Sequence, residues 1–237
     1  MALMRYKIVF SAIVVTMLLC VDVSRVNAGD TKVGDGSKVA PNVVVEGKEW
    51  TPFQLTFLVP FQLSPSNRDV YGMRANLIIG ENKNVCGLDI GGIIQGTDGT
   101  GAGIQIAHVI SLTSTFYGLQ LGLVNMVEKK LAGMQIGFGN ETGDMSGLQM
   151  AVLGNGFTFE PIRGDIKGVQ LSGFANVVAH SVKGVQIAVA YNEAEEVDGL
   201  QIGFVNYTDR MTGLQIGIVN IIKEGAVAFC PIINFNF

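Results

Sequence analysis

Side chains that bind metals or carry redox chemistry are nearly missing from this sequence. Its 237 residues hold two histidines, three cysteines and one tryptophan. Neither His108 nor His180 has a cysteine or another histidine at metal-ligand spacing, so no metal site is expected. No cofactor-binding or catalytic constellation stands out either. Charge is scarce: 15% of residues are charged and 48% are hydrophobic, a balance that argues against disorder. Basic residues do not outnumber acidic ones, 16 against 20, which disfavours nucleic acid and anionic lipid headgroups as partners. What the chain has in excess is glycine, 31 residues of it.

The N-terminus has the layout of a secretory leader. Arg5 and Lys7 precede an apolar run from Ile8 to Leu19, and Val26-Asn27-Ala28 places small residues where signal peptidase cuts. Residues 1–28 are therefore read as a signal peptide; the competing reading is an uncleaved anchor. Leu19 before Cys20 disfavours a lipoprotein, whose processing wants a small residue there. Removing Arg5, Lys7, Arg25 and Asp22 from 16 basic and 20 acidic residues leaves 13 and 19, a net charge of −6. Two cysteines remain, Cys86 and Cys230. A disulfide is permitted, and two buried thiols are the preferred reading.

Residues 29–50 form a polar, turn-rich lead-in, and 51–237 a single β-repeat domain: an N-terminal cap (51–71), repeats (72–220) and a C-terminal cap strand (221–237). The prolines of the first cap confine its strands to a sheet edge. The repeats are carried by a phrase seen most plainly at Gly199-Leu-Gln-Ile-Gly-Phe-Val-Asn206 and Gly213-Leu-Gln-Ile-Gly-Ile-Val-Asn220. Phrases open at Gly72, Gly87, Gly103, Gly118, Gly133, Gly147, Gly168, Gly184, Gly199 and Gly213, with spacings of 14 to 16 residues and one of 21. Glycine at every start disfavours helix. With Gly as place 0, places 1, 3 and 5 are apolar and places 2 and 4 are polar or small, the period of two of a β-strand.

Place 2 holds Arg74 and Asp89, then Gln105, Gln120, Gln135, Gln149, Gln170, Gln186, Gln201 and Gln215 without a break. Asn closes most phrases, as Asn125, Asn140, Asn155, Asn176, Asn192, Asn206 and Asn220; Asn155, Asn176 and Asn192 come one residue late. The residue two before each Gly is usually apolar, as at Phe116, Leu131, Met145, Ile166, Val182, Val197 and Met211.

Two folds place one strand in each repeat. A β-solenoid of about ten coils would stack equivalent residues into a rod roughly 45 Å long. Leu, Ile and Phe would point inward, Gln would form an external ladder, and Asn would take a corner. The alternative is a 12-stranded antiparallel outer-membrane barrel, possible as a pore. Its strands would span only about 15 Å of the roughly 25 Å apolar band such barrels present. Aromatic girdles are missing as well, since Trp50 lies outside the array. Stacked coils also give every Gln and Asn the same neighbours, so the solenoid is the expected fold.

The phrases at Gly118, Gly199 and Gly213, the lead-in Val70-Tyr-Gly-Met-Arg-Ala-Asn and the closing Pro231-Ile-Ile-Asn-Phe resemble a bacterial surface-repeat family of spirochaetes and other Gram-negative bacteria. The resemblance covers about residues 52–237. It implies export to the cell envelope (outer membrane, cell surface or periplasm) and a repeat fold, and it implies no reaction and no ligand. Partners are expected among envelope components or other surface proteins, with no nucleic acid, and a membrane only for the barrel. The chain departs from the family pattern in the 21-residue spacing after Gly147, expected to hold a protruding loop.

Other candidates read as structural. Gly96-Thr-Asp-Gly-Thr-Gly-Ala-Gly103 superficially resembles a phosphate loop, but no helix follows it, so a turn or inter-strand loop is expected. His108 takes an apolar place and is expected to be partly buried with a hydrogen-bond partner; His180 is expected to be exposed. Glu193-Ala-Glu-Glu-Val-Asp198 reads as a solvated loop. A hydrolase on this scaffold would need carboxylates gathered on one face, where the phrases supply Gln. The function expected is that of a non-enzymatic structural or binding module.

Overall fold

The glycine that opens each phrase adopts a backbone conformation that side chains avoid. All ten have φ between 111° and 146°. Glycine is also needed for space: a Cβ on Gly213 would lie 1.9 Å from the carbonyl oxygen of Gly199 one turn below. The phrase glycines thus form a column in which one backbone rests directly on the next.

The computed structural model describes residues 49–59, 61–156 and 162–237. The expected signal peptide, most of the expected lead-in and most of the expected protruding loop lie outside them. The strands are β1 (Trp50–Leu58), β2 (Phe61–Gln62), β3 (Asp69–Asn82), β4 (Val85–Gly91), β5 (Ile94–Ala107), β6 (Ile110–Leu121), β7 (Val124–Asn155), β8 (Ile166–Ser172), β9 (Ala175–Val177), β10 (Ser181–Ala188), β11 (Tyr191–Ile202), β12 (Val205–Ile222) and β13 (Phe229–Asn236). From β1 to β12 the neighbours pair in parallel, Gly on Gly and Gln on Gln, as in Gly184↔Gly199↔Gly213 and Gln186↔Gln201↔Gln215. The fold is a β-solenoid of about eleven turns. Parallel strands exclude the antiparallel barrel on which the pore reading rests.

Both ends depart from the repeat. β1 lies parallel to β3 with Gln54 opposite Arg74 and Pro52 beneath Gly72. The expected N-terminal cap is thus itself a turn, with Pro in the glycine place. β2 folds back antiparallel on β1 and ends the sheet, so Pro52 does sit near its edge. At the other end β13 runs antiparallel to β12, setting Asn234 opposite Gln215. This reversal closes the stack as the sequence suggested.

The expected orientation of the phrase is inverted. Every Gln from Gln105 to Gln215 is buried, and the apolar residues of places 1, 3 and 5 face outward. Alternation tells which side chains share a face, not which face is inside. In-register parallel stacking decides it, because it puts identical amides close enough to bond each other. A buried amide satisfied in this way loses little on leaving water. The hydrophobic core comes from the column two before each Gly: Phe116, Leu131, Met145, Ile166, Val182, Val197 and Met211 are at most 4% exposed. Val127, Val178, Ala194 and Ile222 complete it from the opposite wall of the coil. Where that column holds Gly101, the Phe116 ring fills the place, 2.7 Å from where a Cβ would sit.

Asn was expected at a corner for its turn geometry. Instead its side chain turns inward, and the only non-glycine residue at positive φ among the described residues is Ile232. The late Asn residues keep register: Asn155, Asn176, Asn192 and Asn206 align one above another. The extra residue is absorbed at the corner, where the N–H groups of Ala190 and Tyr191 both donate to the Phe174 carbonyl, at 3.0 and 3.1 Å.

Candidate functional surface

The interior is committed to its own hydrogen bonds. Gln105 donates from Nε2 to Oδ2 of Asp89 at 2.9 Å. Gln120 then donates to Gln105 Oε1, Gln135 to Gln120 and Gln149 to Gln135, each at 2.7 Å. The chain continues through Gln170, Gln186, Gln201 and Gln215 at 2.8 to 2.9 Å. Every amide donates toward the N-terminus. Asp89 sets that direction, because an ionised carboxylate only accepts. The Asn column runs the opposite way: Asn125 donates to Asn140 and so on to Asn220, at 2.8 to 3.0 Å. Each of these Nδ2 groups up to Asn206 also reaches a main-chain carbonyl one turn on, such as Asn192 to Ile202 at 2.8 Å. Each column leaves an acceptor over at its open end, Gln215 Oε1 and Asn125 Oδ1, and both are buried without a partner.

Asp89 is neutralised by Arg74. The guanidinium donates from Nε to Oδ1 at 2.7 Å and from Nη2 to Oδ2 at 2.6 Å, with both side chains at most 4% exposed. Its remaining donors reach the Gly96 carbonyl at 2.9 Å and Thr97 Oγ1 at 3.2 Å. Gln95 donates to Asp89 Oδ1 as well, at 3.1 Å. This pair stands in the Gln column and shares the burial of the amides above it, so it is a structural element with no access for a ligand.

Outside, the picture is apolar. Over ten turns the columns at places 1 and 3, from Met73 to Leu214 and from Ala75 to Ile216, hold only Met, Leu, Ile, Val and Ala, and none of them is buried. The corner column at place 5 adds Leu123 (53% exposed), Phe138, Val152, Val189 (72%), Phe204 and Ile218. Together they make one continuous wall. One rim of that wall, the column just before each Gly, is uncharged from Tyr71 to Ser146 and then carries Lys167, Lys183 and Asp198.

Charge collects on the other side of the last turns. Glu193–Asp198, expected as a loop, is part of β11: Ala194 and Val197 point into the core while Glu195 and Glu196 project outward. Arg210 of the next turn bonds Glu196 at 2.8 Å and Glu195 at 3.3 Å. Beside it, Lys183, Asp198, Arg210 and Glu224 border a groove of about 430 Å³. Both signs are present, and Arg210 is paired with Glu195, Glu196 and Glu224, so the groove favours no one class of charged ligand. Glu81 and Asp98 face each other across adjacent turns. Although Glu81 stays accessible, desolvation first and the Asp98 carboxylate second raise its pKa.

The remaining sequence candidates fall outside any site. Gly96–Gly103 lies within β5 as strand, with a register shift between Thr97 and Thr100 where the coil bends. His108 is exposed where partial burial was expected, though its Nδ1 has the foreseen partner, the Gly91 carbonyl at 2.6 Å. His180 is exposed. Both thiols are free; Cys86 is exposed and Cys230 half-buried, which overturns the buried-thiol reading. No group of three or more His, Cys, Asp or Glu able to hold a metal occurs among the described residues. The repeat glycines, glutamines and asparagines are all brought together, as three columns of scaffold. The outer wall is what sequence reasoning missed as a surface, and the uncharged places 1 and 3 were its signal. No family model, curated protein or solved structure matches the chain.

Proposed function

We propose that the chain is an exported, non-enzymatic cell-envelope module, of the surface-repeat kind its phrases resemble, with a structural or binding role. The observation that carries this reading is the division of labour between inside and outside. The interior amides are consumed by their own ladders. The scaffold therefore offers its environment mainly a long outer surface, apolar on one side and charged at the last turns. The leader supports export.

Cell fractionation tests the proposal. The full chain, expressed in a Gram-negative host, should leave the cytoplasm with residues 1–28 removed, and salt and alkali should strip it from the envelope. Retention of an unprocessed chain in the cytoplasm contradicts export. Resistance to alkali contradicts a peripheral module.

A further inference from the structure

We propose that the apolar wall is an interface between two copies of this chain, packed wall to wall about a two-fold axis. The inference stands on the wall's geometry and goes beyond the envelope reading. The stack from β1 to β12 is parallel, and purely parallel sheets are mostly found with both faces covered. Here the inner face is covered by the rest of the coil, and the outer face at places 1 and 3 is bare. Ten turns at about 4.8 Å and five residues, places 1 to 5, at about 3.3 Å give a wall of roughly 43 by 17 Å, about 700 Å² with the corner column included. A standard-size interface takes about 800 Å² from each partner, and obligate homodimer interfaces are the most apolar. The centre of the wall is Leu119, Leu121, Met134, Ile136, Leu148 and Met150, none of them buried and none charged. Lys167, Lys183 and Asp198 lie along one rim, where an interface keeps its charges solvated.

A lipid surface is the competing cover, and the structure favours it less. Peripheral lipid-binding surfaces pair an apolar face with Lys or Arg and seat Trp at the interface. This chain has a net charge of −4 and one Trp, Trp50, on the first strand of the stack. A second copy needs neither: two-fold symmetry matches the wall to itself.

Sedimentation equilibrium of the full chain should give a dimer. Ile136→Glu places two like charges in the dry centre of a symmetric contact and should raise the dissociation constant at least ~100-fold. Lys129→Glu, outside the wall, should leave it unchanged. Met150→Glu gives the same reading at a second site, and circular dichroism selects variants that retain the β-fold. Flotation with phosphatidylcholine vesicles completes the test, and the dimer should stay at the bottom of the gradient. A wild-type monomer overturns the proposal, whether it floats with lipid or stays free. So does a dimer that folded Ile136→Glu and Met150→Glu leave as tight as wild type.

Discussion

The first turns and the later turns fill the same column in different ways. From Gln120 to Gln201 each amide donates to one neighbouring Gln and accepts from the next. At the start, Arg74 and Asp89 replace two amides with a bidentate ion pair. A ladder of identical amides has no intrinsic direction. The ion pair supplies one, because Gln105 must turn its donor toward Asp89 and every later Gln follows. Chains of hydrogen bonds polarise one another in a low dielectric, so the orientation set at one end is reinforced along the column. The difference teaches that the ion pair is a start signal for the stack rather than a ligand site.

Breaking the start signal should be costliest. Arg74→Met leaves Asp89 buried and unpaired, which should cost about 3–5 kcal/mol in denaturant unfolding. The double variant Arg74→Gln with Asp89→Gln sharpens the comparison, since it extends the ladder by two rungs. It should recover most of that loss; a double variant as unstable as Arg74→Met would mean that the column needs its charge.

Next comes the backbone column. Gly184→Ala puts a Cβ at φ 139° and 2.0 Å from the Gly168 carbonyl oxygen. About 3 kcal/mol of stability should be lost, read from the same melts. An interruption of the amides should follow. Gln170→Leu keeps the volume but orphans the Nε2 of Gln186 and the Oε1 of Gln149. About 2–4 kcal/mol is expected. The reverse exchange at the outward neighbour, Leu171→Gln, should change the stability of the separated chain by less than about 1 kcal/mol.

The smallest effect is pH-linked and sits at the edge of the first turns. Burial and the neighbouring Asp98 carboxylate hold the Glu81 pKa above its ordinary value. A raised carboxyl pKa favours the protonated folded form. The stabilisation is complete below the unfolded value near 4.5 and fades as pH rises through the folded one. Asp98→Asn should therefore flatten the decline of melting temperature as pH rises above about 4.5. An unchanged slope would remove Asp98 as a cause.

Much of this was legible beforehand, and the failures have a common root. Constant Gln and Asn at a near-constant spacing require equivalent surroundings in every repeat, which only stacked parallel turns provide. Which face points inward was not legible from alternation alone, and hydrophobicity favoured the wrong one. Phe116, Leu131, Met145 and their equivalents were visible as an apolar column, and they are the core. The extra turn at β1 was hidden because Pro52 stands where the phrase has Gly. In Glu193–Asp198 the acids masked the inward Ala194 and Val197. The wall is not legible because hydrophobicity assigns its residues to the interior.

Side-chain amide hydrogen exchange of the Gln residues decides the matter in one spectrum. The Nε2 protons of Gln120, Gln135, Gln149, Gln170, Gln186 and Gln201 should exchange only through opening of the stack, far more slowly than those of half-buried Gln62 on β2. Column amides that exchange as fast as Gln62 would contradict a polar interior and restore the orientation that hydrophobicity alone suggested.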